Sequence, residues 1–109
     1  MASSNYYEKV YEVTRKIPFG KVCTYGILAD YLCLGSARMV GWALNKSFSS
    51  SEPVPAHRVV NRLGELSGRN HFPSPTMMEE LLCQEGVGIK NNQIQNLDIY
   101  LWRPQDESS

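Results

Sequence analysis

Apolar residues recur along the 109-residue chain at spacings that alternate between helical and extended readings. Tyr7, Val10, Tyr11, Thr14 and Ile17 share one face of a 3.6-residue period, predicting an N-terminal helix closed by Pro18-Phe19-Gly20. Lys21-Val22-Cys23 reads as extended. Thr24 is then a suitable N-cap for a helix over about 25–33, with Ile27, Leu28, Tyr31 and Leu32 as its apolar face. Leu34-Gly35 predicts a tight turn, and Ser36 caps a third helix to about Lys46 with Met39, Val40, Ala43 and Leu44 turned inward. Helix, short glycine turn, helix is the layout of a helix-turn-helix, although two ordinary packed helices share it.

The second half is more broken. Ser47 to Pro53 is a polar loop, Leu63-Gly64 predicts a turn, and Glu65-Leu66-Ser67 reads as extended. A loop from Gly68 to Thr76 carries Arg69, His71, Phe72, Pro73 and Pro75. Thr76 caps a helix with Met77, Met78, Leu81 and Leu82 as its stripe, ending at Gly86, and the two methionines suit core filling. Val87 to Gln95 reads as a hairpin around Asn91-Asn92, and Leu97 to Pro104 as one apolar helical turn. The expected fold is mainly α with short β strands, a winged-helix-like DNA-binding domain containing a helix-turn-helix.

Composition bounds this picture. The length suits a single domain, 1–109, and a hydrophobic content of 42% suits a globular protein. No apolar run reaches the ~20 residues that span a bilayer, and Met1-Ala2-Ser3-Ser4 shows no secretory pattern. An intracellular protein is therefore expected, cytoplasmic or nuclear according to its source. Cys23, Cys33 and Cys83 show no paired spacing, each reads as a small buried hydrophobe, and no disulfide framework is expected. His57, His71 and Cys83 match no zinc pattern, so neither metal nor cofactor is expected. Net charge is zero, yet residues 15–69 hold eight basic and three acidic side chains. A basic middle between acidic flanks can bind phosphates locally.

The most informative stretch is Pro55-Ala56-His57-Arg58-Val59-Val60-Asn61. It resembles the Pro-Cys-His-Arg-Val signature of the O6-alkylguanine-DNA alkyltransferase (methylated-DNA–protein-cysteine methyltransferase) family. Pro18-Phe19-Gly20-Lys21-Val22 with Thr24-Tyr25, then Ala37-Arg38-Met39-Val40-Gly41, then Leu82-Cys83-Gln84-Glu85-Gly86-Val87 resemble further family segments in the family's order. The similarity runs from about Tyr6 to Pro104. In that family a cysteine, deprotonated through a histidine, a water and a glutamate, attacks the alkyl carbon on guanine O6. His57 and Glu85 match the helpers, but Ala56 matches the nucleophile. The chain is most similar to the alkyltransferase-like subgroup, small single domains that lack the cysteine and carry a loop arginine, here Arg69.

The resemblance implies a DNA repair protein that binds O6-alkylguanine in duplex DNA by flipping the nucleotide, without alkyl transfer. It is then no enzyme, but a monomer that passes lesions to nucleotide excision repair. Tyr25, Ser36, Ala37, Arg38 and Gly41 are the implied DNA contacts, with Arg38 filling the gap left in the stack. Tyr25, Pro55, Ala56, Val60 and Arg69 are the implied lesion pocket, with Phe72, Pro73 and Pro75 as its wall. His57 and Glu85 remain as a relic network, and Arg58 anchors the turn. Trp42 departs from the small residues expected on the recognition helix, facing either the core or the DNA. The family's helix-end asparagine is matched by either Asn45 or Ser47. Two other readings stand beside this one: an engineered Cys-to-Ala form of an active methyltransferase, and a helix-turn-helix regulator that selects a DNA sequence.

Overall fold

The computed structural model describes residues 5–105. Helix α1 (Asn5–Arg15) is followed by a two-residue strand β1 (Cys23–Thr24) that runs directly into α2 (Tyr25–Tyr31), and α3 (Ala37–Asn45) completes the helix-turn-helix. After a 3-10 turn at Ser47–Ser49, a second at Ala56–Arg58 opens strand β2 (Val59–Val60). A third at Arg69–His71 precedes α4 (Met77–Gln84), the hairpin β3 (Ile89–Lys90) and β4 (Gln93–Ile94), and a last turn α5 (Leu97–Tyr100). Helix-rich architecture with short strands is the expected fold class.

Two apolar clusters organise these elements. One joins Val10, Tyr11, Val13 and Ile17 of the N-terminal segment to Leu28 and Ala29 of α2, Val40, Ala43 and Leu44 of α3, and Trp102. The other gathers Val22, Val60, Leu66, Met78, Leu82, Val87 and Ile94 under α4 and the hairpin. Tyr11 ties α1 to α3 by donating its hydroxyl proton to the Ala43 carbonyl at 2.8 Å. The helical stripes are therefore right in outline. Tyr31, expected on the buried face of α2, is 43% exposed, because α2 ends at that residue and only Leu28 and Ala29 turn fully inward.

The register of β1 on β2 positions the site. Cys23 pairs with Val59 and Thr24 with Val60 in parallel. Thr24 then caps α2, its Oγ1 accepting from the Ile27 amide at 3.1 Å, so the same two residues that grip β2 also start the helix-turn-helix. Ser36 occupies the N-cap position of α3 but makes no side-chain cap bond. Thr76 likewise makes none at the start of α4 and instead donates to Glu80 Oε2 at 2.9 Å.

The turn between α2 and α3 also differs from the glycine turn expected at Leu34-Gly35. Leu34 N–H reaches the Ala29 carbonyl at 2.9 Å and Cys33 N–H the Asp30 carbonyl at 3.2 Å, a Schellman motif whose left-handed residue is Cys33, φ 60°. Asn91 and Asn92 are left-handed as well, φ 54° and 59°, as a tight hairpin turn requires. A side chain at Cys33 carries the left-handed penalty, so Cys33→Gly is expected to raise unfolding stability by about 0.5–1 kcal/mol, and Cys33→Val to lower it. Urea denaturation of the two variants measures both.

Candidate nucleic-acid interface and the cavity behind it

Glu85 stands at the C-cap of α4, its side chain 5% exposed, and its carboxylate joins two other segments to the end of that helix. Oε1 accepts from the Gly20 amide at 2.8 Å and from Arg58 Nε at 3.0 Å. Oε2 accepts from His57 Nε2 at 2.7 Å and Arg58 Nη2 at 2.8 Å. Arg58 continues the chain of contacts, Nη1 donating to the Ile17 carbonyl at 2.9 Å, with the Phe19 ring centroid 5.8 Å from its guanidinium carbon. Gly20 is needed here. Its φ is +84°, and a Cβ would stand 3.3 Å from the Glu85 carbonyl oxygen.

Burial alone would raise the Glu85 carboxyl, but the hydrogen bonds from Arg58, the Gly20 amide and His57 outweigh it and hold it below its ordinary value. Burial pushes His57 below its ordinary value against the opposing pull of Glu85. A neutral His57 donating from Nε2 to an ionised Glu85 fits both directions and leaves Nδ1 as an acceptor.

Two further spaces lie near this turn and share part of their lining. The outer one, a hollow of about 370 Å³, is lined by Ala37, Arg38, Gly41, Trp42 and Asn45 of α3, with Tyr25, Ser67, Gly68 and His71 opposite. The inner one is about 10 Å³, room for one water at most, with Ala56 in its lining. Tyr25, Asn45, Gly68 and His71 belong to both walls and so divide the two. A Cβ on Gly68 would sit 2.8 Å from the Tyr25 hydroxyl, which shows how closely the phenol closes against that backbone. Burial raises the Tyr25 phenol while a hydrogen bond with Ser67 works the other way, so it stays neutral. Phe48 and Phe72, edge to face at 4.9 Å, stand between the inner space and a larger hollow of about 660 Å³ beside Pro55, His57 and Arg58.

The structure thus brings Tyr25, Ala37, Arg38 and Gly41 together, with Ser36 exposed at the start of the same helix. Trp42 faces outward, 51% exposed. Several expectations need correction. Val60 is fully buried in the second apolar cluster and offers no surface to a ligand. Arg69 lines neither space, and its Nη1 donates to the Leu66 carbonyl at 3.0 Å. Pro55 lines the larger hollow on the far side of the turn. Pro73 and Pro75 are exposed and line none of these spaces, whereas Phe72 does. Of the cysteines only Cys23 is buried, its thiol pushed up to about 12 by burial, while Cys33 and Cys83 are exposed. Ser47 is buried and bonded to the Leu44 carbonyl, so Asn45 is the polar side chain that reaches the cavity wall.

Phe48, Gly68 and His71 went unassigned in the sequence. Phe48 had a signal, being the one large apolar residue in a serine-rich loop.

The chain matches the DNA-binding domain of 6-O-methylguanine DNA methyltransferase over residues 5–87. Alkyltransferase-like protein 1 of Schizosaccharomyces pombe is 38% identical over 109 residues, covering 95% of this chain and 100% of that protein. The DNA base-flipping protein of Escherichia coli is 35% identical over 98 residues, 87% of this chain and 72% of that protein. The crystal structure of S. pombe Atl1 in complex with damaged DNA containing O6-carboxymethylguanine superposes with a TM-score of 0.79 at 37% identity, covering 95% of this chain and 100% of that one.

Both His57 and Glu85 have folded pKa values below their ordinary ones of 6.5 and 4.5, so the unfolded chain binds more protons as the pH falls. Their contribution to stability is complete above about pH 6.5 and is lost on acidification, first through His57 and then, below about 4.5, through Glu85. Glu85→Ala is expected to cost about 3–5 kcal/mol at neutral pH and to remove the lower limb of that acid dependence, read by thermal denaturation across pH.

Proposed function

The chain belongs to the family of the 6-O-methylguanine DNA methyltransferase DNA-binding domain, and from that premise we propose that it binds O6-alkylguanine in duplex DNA by flipping the nucleotide, without taking the alkyl group. The observation that carries this reading is Ala56 at the wall of the inner cavity, behind a surface hollow that bears Arg38 and Tyr25. Transfer needs a lone pair to form a bond to the alkyl carbon as the C–O6 bond breaks, and a methyl side chain has none. The neighbouring His57 and Glu85 are held by Arg58 and Gly20 regardless, so they keep a structural purpose with no thiol to activate. The names of the relatives, one a base-flipping protein and one solved on a lesion-containing duplex, support the same reading.

Arg38 is exposed, and its guanidinium makes no hydrogen bond or ion pair among the described residues. A free cation beside a hollow suits the gap that flipping opens, since unstacking costs a few kcal/mol that another side chain must offset. Gly41 supports close approach of DNA. It sits inside α3, where glycine costs about 0.5–1 kcal/mol relative to alanine, yet a Cβ there would meet nothing within 4 Å. No contact inside the protein requires it.

The wider reading, with the protein acting as an intracellular monomer that marks lesions for nucleotide excision repair, belongs to the same proposal. Dye-labelled duplexes with and without O6-methylguanine are expected to differ in affinity by at least about tenfold. Intact-mass spectra after incubation should show no added methyl group. Equal affinity for both duplexes, or an alkylated protein, would overturn the reading. Gly41→Ala is expected to separate two properties, raising stability by about 0.5–1 kcal/mol while weakening duplex binding. Denaturation and fluorescence anisotropy on the same preparation measure the pair.

A further inference from the structure

Trp42 is the one large apolar side chain on the outward face of α3. It is 51% exposed, while the helix buries Val40, Ala43 and Leu44 on its opposite side. It makes no aromatic or cation–π pair among the described residues. It stands four residues beyond Arg38, one helical turn along the same stripe, and both side chains line the outer hollow. A half-exposed indole on a binding helix is apolar area that water wets until something flat and apolar covers it.

Resting on the lesion-binding reading above, we propose that Trp42 is a second stacking residue beside Arg38. It packs on the face of the base left unpaired when the guanine leaves the helix. Bases that remain paired and stacked offer only their edges and sugars to a groove, so a broad apolar face becomes available only at the gap. Arg38 supplies the charge there and a planar group for one exposed surface, and Trp42 covers another. A residue one turn from the first, on a helix whose Gly41 leaves open space between them, needs no rearrangement of the protein core to reach the gap.

Tryptophan fluorescence tests this directly, because the chain has two tryptophans and the other, Trp102, is only 8% exposed. Stacking on a base quenches indole emission. Saturation with an O6-methylguanine duplex is expected to quench the wild-type signal clearly more than saturation with the undamaged duplex. In Trp42→Phe that difference vanishes. In anisotropy with dye-labelled DNA, Trp42→Ala should bind the damaged duplex about tenfold more weakly and Trp42→Phe less than about threefold, as for an aromatic–base stack. Equal quenching by the two duplexes, or Trp42→Ala binding within about twofold of wild type, overturns the stacking role while leaving the lesion-binding reading intact. If the dye-labelled duplexes show no lesion preference with the wild-type protein, the lesion-binding reading fails and the stacking role falls with it.

Discussion

The arrangement depends on one carboxylate. Glu85 is far in sequence from Gly20 and from His57 and Arg58, yet it bonds all three. It thereby closes the loop after α1, the turn carrying Ala56 and the end of α4 onto one point. A buried carboxylate satisfied by a guanidinium, an imidazole and a backbone amide is expensive to disrupt, because each partner would be left behind without water. Burial and charge pull its protonation in opposite directions, and the charge wins. The short parallel pair β1–β2 then transmits this fixed point to the helix-turn-helix through Thr24.

These bonds hold His57 and Glu85 in place whatever side chain stands at position 56. His57 and Glu85 are held by what they support, and the side chain at position 56 takes no part in their bonding. The turn is built around its neighbours, and the methyl group of Ala56 carries none of the bonds that hold the site together.

Much of this was legible in the chain. Periodicity located α1, α3 and α4 because each has one face fully committed to a core, and Thr24 and Asn91-Asn92 carry local chemistry that specifies their turns. The family resemblance put His57 and Glu85 in one network, with His57 bonded to Glu85 or to a water, and the structure shows the direct contact. What did not follow was direction. Val60 and Ala56 are four residues apart in one motif, but β2 turns Val60 into the second cluster while the preceding 3-10 turn leaves Ala56 at the cavity. Arg69 looked free because a loop sequence does not reveal that its guanidinium reaches back three residues to a carbonyl. Cys33 was read as the last residue of its helix, since a left-handed cysteine has no sequence signal comparable to glycine.

The near-closed inner cavity has a consequence for affinity that is separate from selectivity. A space of about 10 Å³ admits no nucleobase, so on the proposed reading a flipped base would first have to displace the wall formed by Tyr25, Gly68 and His71. That opening cost is the same whichever nucleotide is tested, and it lowers the apparent affinity for all of them equally. Only a base that makes compensating contacts beyond the wall stays long enough to be noticed, while an ordinary one falls back into the helix. A shut door of this kind sets how rarely any base is held, while the contacts beyond it decide which base is held.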